Sequence, residues 1–171
     1  MAMIRQNSKF LLTLRALAVI SRLFIAFIFI GLISSFALGN VKLQNTIVID
    51  PLSGFAMNSY DPVSYYINDA PKLGIPEYEF IWQGVSWLFV SEANRDIFVK
   101  QPEVYAPLFG GHGVMGLARG YISDGNPHIY EILGNKLFLF YSSANRDAFM
   151  LSQRSNYIKA QKNWEFFLTQ N

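Results

Sequence analysis

The 171-residue sequence contains no cysteine and only two histidines, His112 and His128. The lack of cysteine excludes disulfides, thiolate metal ligands and thiolate nucleophiles. Two histidines on different predicted elements are too few for a transition-metal site, which usually needs about three or four ligands. We therefore expect the fold to be held by its hydrophobic core, and we assign no metal and no other cofactor.

The motifs of common enzyme classes are also missing. The chain has no G-x-S-x-G nucleophile elbow, no P-loop and no H-E-x-x-H zinc motif. The glycine-rich stretch from Leu108 to Gly120 has neither a G-x-G-x-x-G frame in a β-α-β context nor a suitably placed lysine, so its signal for nucleotide binding is weak. These absences favour a non-enzymatic protein.

An N-terminal leader is indicated by an uncharged apolar run at positions 23–38. Four basic residues precede it: Arg5, Lys9, Arg15 and Arg22. The run has 16 residues, fewer than the roughly 20 that cross a bilayer, and small residues lie at its end, at Ala37 and Gly39. We expect residues 1–39 to be an export signal peptide, with an uncleaved membrane anchor as the alternative. Both place the domain in the periplasm or elsewhere outside the cytoplasm, tethered to the inner membrane in the second case.

The leader also changes the charge balance. All twelve acidic residues lie beyond residue 39, whereas four of the fourteen basic residues lie before it. The remaining part therefore has ten basic and twelve acidic residues, a net charge of −2. We expect no nucleic-acid partner, since phosphate binding needs clustered Lys and Arg, and membrane contact only through the N-terminal segment.

Residues 40–54 are predicted to be a linker or leading strand, and the domain is predicted over residues 55–171.

Two stretches of the domain, residues 79–98 and 128–149, resemble each other. Each contains two β-prone runs, a glycine turn between them, and then Ser and Ala-Asn-Arg-Asp. This order predicts the same strand-strand-helix unit twice.

Glycine and serine mark the boundaries in each unit. Gly84 and Gly134 supply the φ angles of hairpin turns, and Ser91 and Ser142 are placed to cap the helices that follow. We expect Ala93, Ile97 and Phe98 to share one helix face, as do Ala144, Ala148 and Phe149.

The last part of the domain is predicted to be an amphipathic helix. Its aromatic and small residues recur at helical spacing: Tyr157, Ala160, Trp164 and Phe167. The predicted fold class is therefore α+β, with two strand-strand-helix units forming a small antiparallel sheet, helices packed on it, and a C-terminal helix.

Several motifs in order resemble the YHS domain family. An Asp-Pro-Val opening is followed by a strand pair, an F-x-S-E-x-x-R-x-x-F segment and a P-E-x-Y segment. They stand at Asp61, Pro62 and Val63; at Phe89, Ser91, Glu92, Arg95 and Phe98; and at Pro102, Glu103 and Tyr105. The resemblance covers about residues 55–168 and implies an exported YHS-like module.

The thiols of the metal-associated YHS members are absent. The resemblance assigns three of them to the positions of Ser64, Val90 and Asn94, and exported relatives often carry a further one at the position of Gly113. Valine cannot bind a metal, and neutral Ser and Asn replace thiolates poorly. The resemblance thus implies a module that has lost its inherited metal ligands.

The candidate site is the glycine loop that links the two units. We expect it to bind a small ligand or a protein partner, and it comprises His112, Gly110, Gly111 and Gly113, with Tyr60, Asp61 and Tyr105 as neighbours. Two alternatives stay open: a metal site built from His112 with carboxylate or His neighbours, and a hydrolase that uses His112 as general base. A third possibility is a scaffold that binds a partner at a sheet edge.

Overall fold

The computed structural model describes residues 46–170 of the chain. The leader predicted over residues 1–39 and the first part of the predicted linker lie outside these residues. Four strands are present: β1 (Ile75–Trp82), β2 (Val85–Phe89), β3 (Asn126–Leu133) and β4 (Lys136–Phe140). Six α-helices accompany them in the described part: α1 (Ser64–Ile67), α2 (Glu92–Lys100), α3 (Pro102–Tyr105), α4 (Val114–Ala118), α5 (Ser143–Met150) and α6 (Gln153–Gln170).

The α+β fold is confirmed, and its strands form two antiparallel pairs. β1 pairs with β2, and β3 pairs with β4, so each unit has its own two-stranded sheet. Both hairpins turn on two residues with positive φ: Gln83 and Gly84 in the first, and Gly134 and Asn135 in the second. Such turns match the right-handed twist of the strands that they join.

Serine caps start the two equivalent helices, as predicted. The Ser91 side chain accepts a hydrogen bond from the Asn94 amide at 3.2 Å, and Ser142 accepts one from Asn145 at 3.2 Å. The predicted helix faces were partly wrong: Ala144 in α5 is exposed, and of its predicted face Phe149 is the buried residue. Asn94 and Phe98 are the buried residues of α2, whereas Ala93 and Ile97 are exposed, because the helix turns its asparagine toward the domain interior.

In the structure, each repeat unit begins earlier in the chain than the two similar sequence stretches, residues 79–98 and 128–149. Each unit opens with a 3-10 turn, Met57–Ser59 in the first and Leu108–Gly111 in the second, that contains three consecutive residues with positive φ. Met57, Asn58 and Ser59 thereby correspond to Phe109, Gly110 and Gly111. The chain therefore repeats a turn, a short helix, a hairpin and a capped helix.

Equivalent backbone hydrogen bonds show that the two units also correspond in the loops after these turns. The Asp61 amide donates to Lys72 O at 2.9 Å, just as the Gly113 amide donates to Ser123 O at 2.7 Å. Isolated bridges join Tyr60 to Leu73 and His112 to Asp124. Tyr60 thus corresponds to His112, Asp61 to Gly113 and Gly74 to Gly125.

Strand β4 joins two hydrophobic cores. Leu137 and Leu139 pack in the core of the first unit with Trp87, Phe89 and Phe98. On its other face, Phe138 and Phe140 pack in the core of the second unit. The predicted stripe of α6 covers this second core, where Ala160 is 0% exposed and Tyr157, Trp164 and Phe167 are partly buried.

The residues just before the predicted domain start belong to the folded body. Ile47 is 5% exposed in the first core, and Ile49 forms an antiparallel bridge with Ala56. Part of the predicted linker or leading strand, residues 40–54, is therefore packed against the domain. Of the helices in the described part, none combines the length and apolar character needed to cross a bilayer.

Candidate functional site

The glycine loop is held tightly against the segment that leads into the domain. Val48 donates its amide to Gly110 O at 2.8 Å. Gly110 has a φ of +61°, and a Cβ there would overlap the carbonyl oxygen of Thr46. Glycine at this position is explained by the close backbone approach, without any ligand.

The other two loop glycines, Gly111 and Gly113, take part in the backbone structure of the loop. Gly111 O accepts the amide of Gly125 at 3.0 Å, and Gly113 is the N-cap residue of α4. Both glycines are buried. The loop is thus a compact turn that buries these two glycines, whereas the partly exposed Gly110 lines a cavity of about 390 Å³ with Trp82, Phe109 and Trp164.

His112 lies beneath the surface. The residue is 6% exposed, and its ring centroid is 5.3 Å from that of Trp164, at an interplanar angle of 49°. Its Nδ1 is 3.9 Å from Oδ1 of Asp124, whose side chain is 73% exposed. The imidazole therefore connects the C-terminal helix to the Asp124 loop, and Asp124 is the member of this pair that solvent reaches.

Asp61 is the centre of a buried hydrogen-bond network. The residue is 0% exposed. Oδ1 accepts the amide of Val63 at 2.8 Å and that of Ser64 at 3.3 Å, while Oδ2 accepts the Val90 amide at 3.0 Å and Asn94 Nδ2 at 2.6 Å. With four donors on its carboxylate, Asp61 fixes the Asp-Pro-Val turn to the start of α2 and does not face solvent.

The three positions that the resemblance assigns to thiolates surround this network. Ser64 Oγ donates to the Asp61 carbonyl oxygen at 2.6 Å, and Val90 and Asn94 both donate to the Asp61 carboxylate. Hydrogen bonds to one carboxylate thus occupy the place where the resemblance would put a metal centre.

Tyr105 packs away from the loop. Its ring meets Tyr66 edge-on with centroids 5.3 Å apart, and Tyr66 donates its hydroxyl hydrogen to Val104 O at 3.1 Å. Burial raises the pKa of Tyr66 to about 12. Of the predicted neighbours, Tyr105 therefore belongs to the aromatic packing around α3.

Tyr60 is a predicted site residue whose side chain lines an open cleft. Its hydroxyl lies 2.7 Å from Nε2 of His128, and the two rings meet edge-on with centroids 4.8 Å apart. The cleft has a volume of about 540 Å³. Its polar lining also includes Asp50, Asn58, Asp124, Asn126 and Tyr141.

The rim of the cleft carries negative charge. Asp50 accepts hydrogen bonds from Ser53 Oγ at 2.6 Å and from the amides of Leu52 and Ser53 at 3.3 and 3.2 Å. These bonds, led by that from the Ser53 hydroxyl, lower the pKa of Asp50. Asp124 adds a second carboxylate, so the cleft favours ligands with positive charge or hydrogen-bond donors.

The glycine-loop site and the cleft are neighbours that share few residues. Gly125 lines the cleft and bonds to Gly111, while Asp124 lines it and faces His112. Residue patterns did not identify Asp50 and Tyr141 as site residues. The repeated Gly-x-Pro that opens both hairpins, at residues 74–76 and 125–127, was the signal that would have drawn attention to the loop leading into His128.

Neither a metal centre nor a related protein identifies the site. Among residues 46–170, no group of three or more His, Asp or Glu side chains is arranged to hold a metal ion. No family model, curated protein or solved structure matches the chain. The argument for function therefore depends on the geometry of the cleft.

Proposed function

We propose that the protein is an exported, non-enzymatic, YHS-like binding module, and that it binds a small polar molecule in the cleft beside the Gly110–Gly113 loop. The observation that carries this proposal is the Tyr60–His128 pair, hydrogen-bonded at 2.7 Å on the wall of an open cleft. A volume of about 540 Å³ suits a small molecule better than a protein segment.

The chemistry of the wall indicates the kind of ligand. Asp50 and Asp124 provide acceptors with negative charge, while the amides of Asn58 and Asn126 can both donate and accept. Tyr60 and Tyr141 add aromatic surface with polar tips. The ligand is therefore a small molecule with amino or hydroxyl groups.

Burial assigns different roles to the remaining predicted residues. His112, Asp61 and the loop glycines position the cleft, because they fix the loops that carry Tyr60 and Asp124. The convergence of Ser64, Val90 and Asn94 on Asp61 supports a YHS-like origin with its metal site replaced. The burial of His112 disfavours the hydrolase alternative, since a general base must contact its substrate.

Binding is tested by NMR on the full chain with a panel of amines, amino acids and sugars. We expect one class to shift the amide signals of Tyr60, Asp124 and His128. Tyr60→Phe and His128→Gln should each weaken binding about tenfold, as expected for loss of one hydrogen bond. Tyr121→Phe, an exposed tyrosine outside the cleft lining, should leave binding unchanged.

Two outcomes would contradict the proposal. Affinity that is unchanged in both Tyr60→Phe and His128→Gln would show that the cleft is not the site. Stoichiometric binding of Zn²⁺ or Cu²⁺ that is lost in His112→Ala, with folding intact by circular dichroism, would instead establish the metal-binding alternative.

A further inference from the structure

A second groove lies between the turn of the β3-β4 hairpin and the first turns of α6. Its volume is about 490 Å³, and it is separate in its lining residues from the cleft around Tyr60 and His128. The floor is formed by Phe138 and Phe149, whose ring centroids are 5.8 Å apart. Tyr157 forms a side wall, with its ring centroid 5.7 Å from that of Phe138.

The internal repeat shows what this surface carries in the first unit. Trp82 corresponds to Leu133, Trp87 to Phe138 and Phe98 to Phe149. In the first unit the Trp82 indole meets Trp87 and Phe98 edge-on, with centroids 5.6 and 5.7 Å away.

The smaller side chain of Leu133 takes the place of that indole in the second unit. Leu133 lines the groove, and Phe138, which is 6% exposed, is the part of the aromatic floor that solvent reaches, since Phe149 is 0% exposed. Since the first unit covers the equivalent floor with an indole, a flat aromatic ring of similar size fits the groove in the second unit.

The charged side chains that line the groove are both positive. Among the described residues that line it, the charged ones are Lys136 and Arg154, and no carboxylate is present. Lys136 Nζ donates one hydrogen bond, to the Glu103 carbonyl oxygen at 3.1 Å, and an ammonium group has three donors. Arg154 is exposed and takes part in no ion pair within the described residues.

We propose that this groove binds a small aromatic carboxylate. Its ring packs against Leu133 and Phe138, above the buried Phe149, and its carboxylate pairs with Arg154 and Lys136. A guanidinium at the edge of an apolar floor recognises a carboxylate by paired N–H donors, while the ring gains apolar burial. The inference does not depend on the proposed function of the cleft, because the two sites share no lining residue.

The proposal is tested with indole-3-acetate and its neutral counterpart indole-3-acetamide, titrated into the full chain and followed by NMR. We expect saturable shifts at Lys136, Phe138 and Arg154, with the acetate bound about tenfold more tightly, as one charge-assisted contact implies. Arg154→Gln should reduce this preference to the part that Lys136 supplies, while Lys159→Gln, an exposed cation further along α6, should retain it in full.

A second variant tests the fit of the ring. Leu133→Trp restores the residue that the first unit uses, so it should fill the groove and abolish binding of both probes while circular dichroism stays native. Absence of saturable binding to the unmodified chain would overturn the proposal. So would an unchanged preference in Arg154→Gln, or full affinity in a folded Leu133→Trp protein.

Discussion

The two units of this protein share a backbone and differ in how they use it. At one equivalent position the first unit has Asp61, a carboxylate with four hydrogen bonds, and the second has Gly113. The first unit covers its aromatic core with Trp82, whereas the second has the smaller Leu133 there, and each of these residues lines a groove of its own unit. The repeated backbone thus carries different side chains at equivalent positions, with a buried carboxylate network in one unit and a glycine N-cap in the other.

The same contrast appears at the opening turns. Met57, Asn58 and Ser59 adopt positive φ angles in the first unit without a single glycine. The second unit uses Gly110 and Gly111 at the last two of these positions, because another segment of backbone passes against Gly110. Close packing, and not the turn alone, therefore explains the glycine at position 110.

Removal of the Asp61 carboxylate should have the largest effect. Asp61→Ala leaves the Val90 amide and the Asn94 side chain without their buried acceptor, and we expect the free energy of unfolding to fall by about 3 to 4 kcal/mol. Urea denaturation measures this loss. Asp124→Ala, at a carboxylate that is 73% exposed, is the control and should cost about 0.5 kcal/mol or less. Equal losses in the two variants would contradict the structural role of Asp61.

Alanine at the equivalent turn positions should distinguish close packing from backbone strain. Gly110→Ala places a methyl group against the Thr46 carbonyl and should cost about 2 to 3 kcal/mol, because the segment that carries Ile47 must move. Asn58 is exposed and already has positive φ, so Asn58→Ala should cost about 1 kcal/mol. Thermal unfolding compares the two; if Asn58→Ala proves as costly, the turn conformation and not the packing requires glycine.

The capping serines should have equal effects in the two units. Ser91→Ala and Ser142→Ala each remove an acceptor that lies 3.2 Å from a free helix amide, and each should cost about 1 kcal/mol. Ser155→Ala, an exposed serine inside α6, is the comparison expected to be nearly neutral. A clear difference between the two caps in urea denaturation would mean that the units are less alike than their backbones.

The smallest effect at neutral pH should come from Tyr66, a partly buried tyrosine packed against the core of the first unit. Burial raises the pKa of Tyr66 to about 12, against about 10 in an unfolded chain. The unfolded state therefore releases this proton first as pH rises, so the stability due to Tyr66 is intact below about pH 10 and is lost toward pH 12. Tyr66→Phe should make this alkaline decline shallower in urea titrations at several pH values, while Tyr121→Phe should not.

The sequence predicted the local features of the fold and missed the contacts that join its parts. Glycines at the turns and serines at the helix starts act within a few residues of themselves, so their spacing was enough to place both hairpins and both capped helices. The buried face of α2 was predicted incorrectly, because Asn94 is buried by its hydrogen bond to Asp61, which lies 33 positions earlier in the chain. The opening turn and short helix of each unit were not predicted as a repeat, because their backbones are alike in the two units but their residue types differ.

The candidate site depended most on tertiary structure. Sequence alone determined the α+β class, the doubled unit, the absence of thiol chemistry and the presence of a glycine loop near His112. Tertiary structure decided that most of this loop is buried, that Tyr60 meets His128, and that Trp82 and Leu133 each line a groove on their own unit. The physical reason is that turns and caps are specified by neighbouring residues, whereas exposure and pairing are set by which distant surfaces pack together.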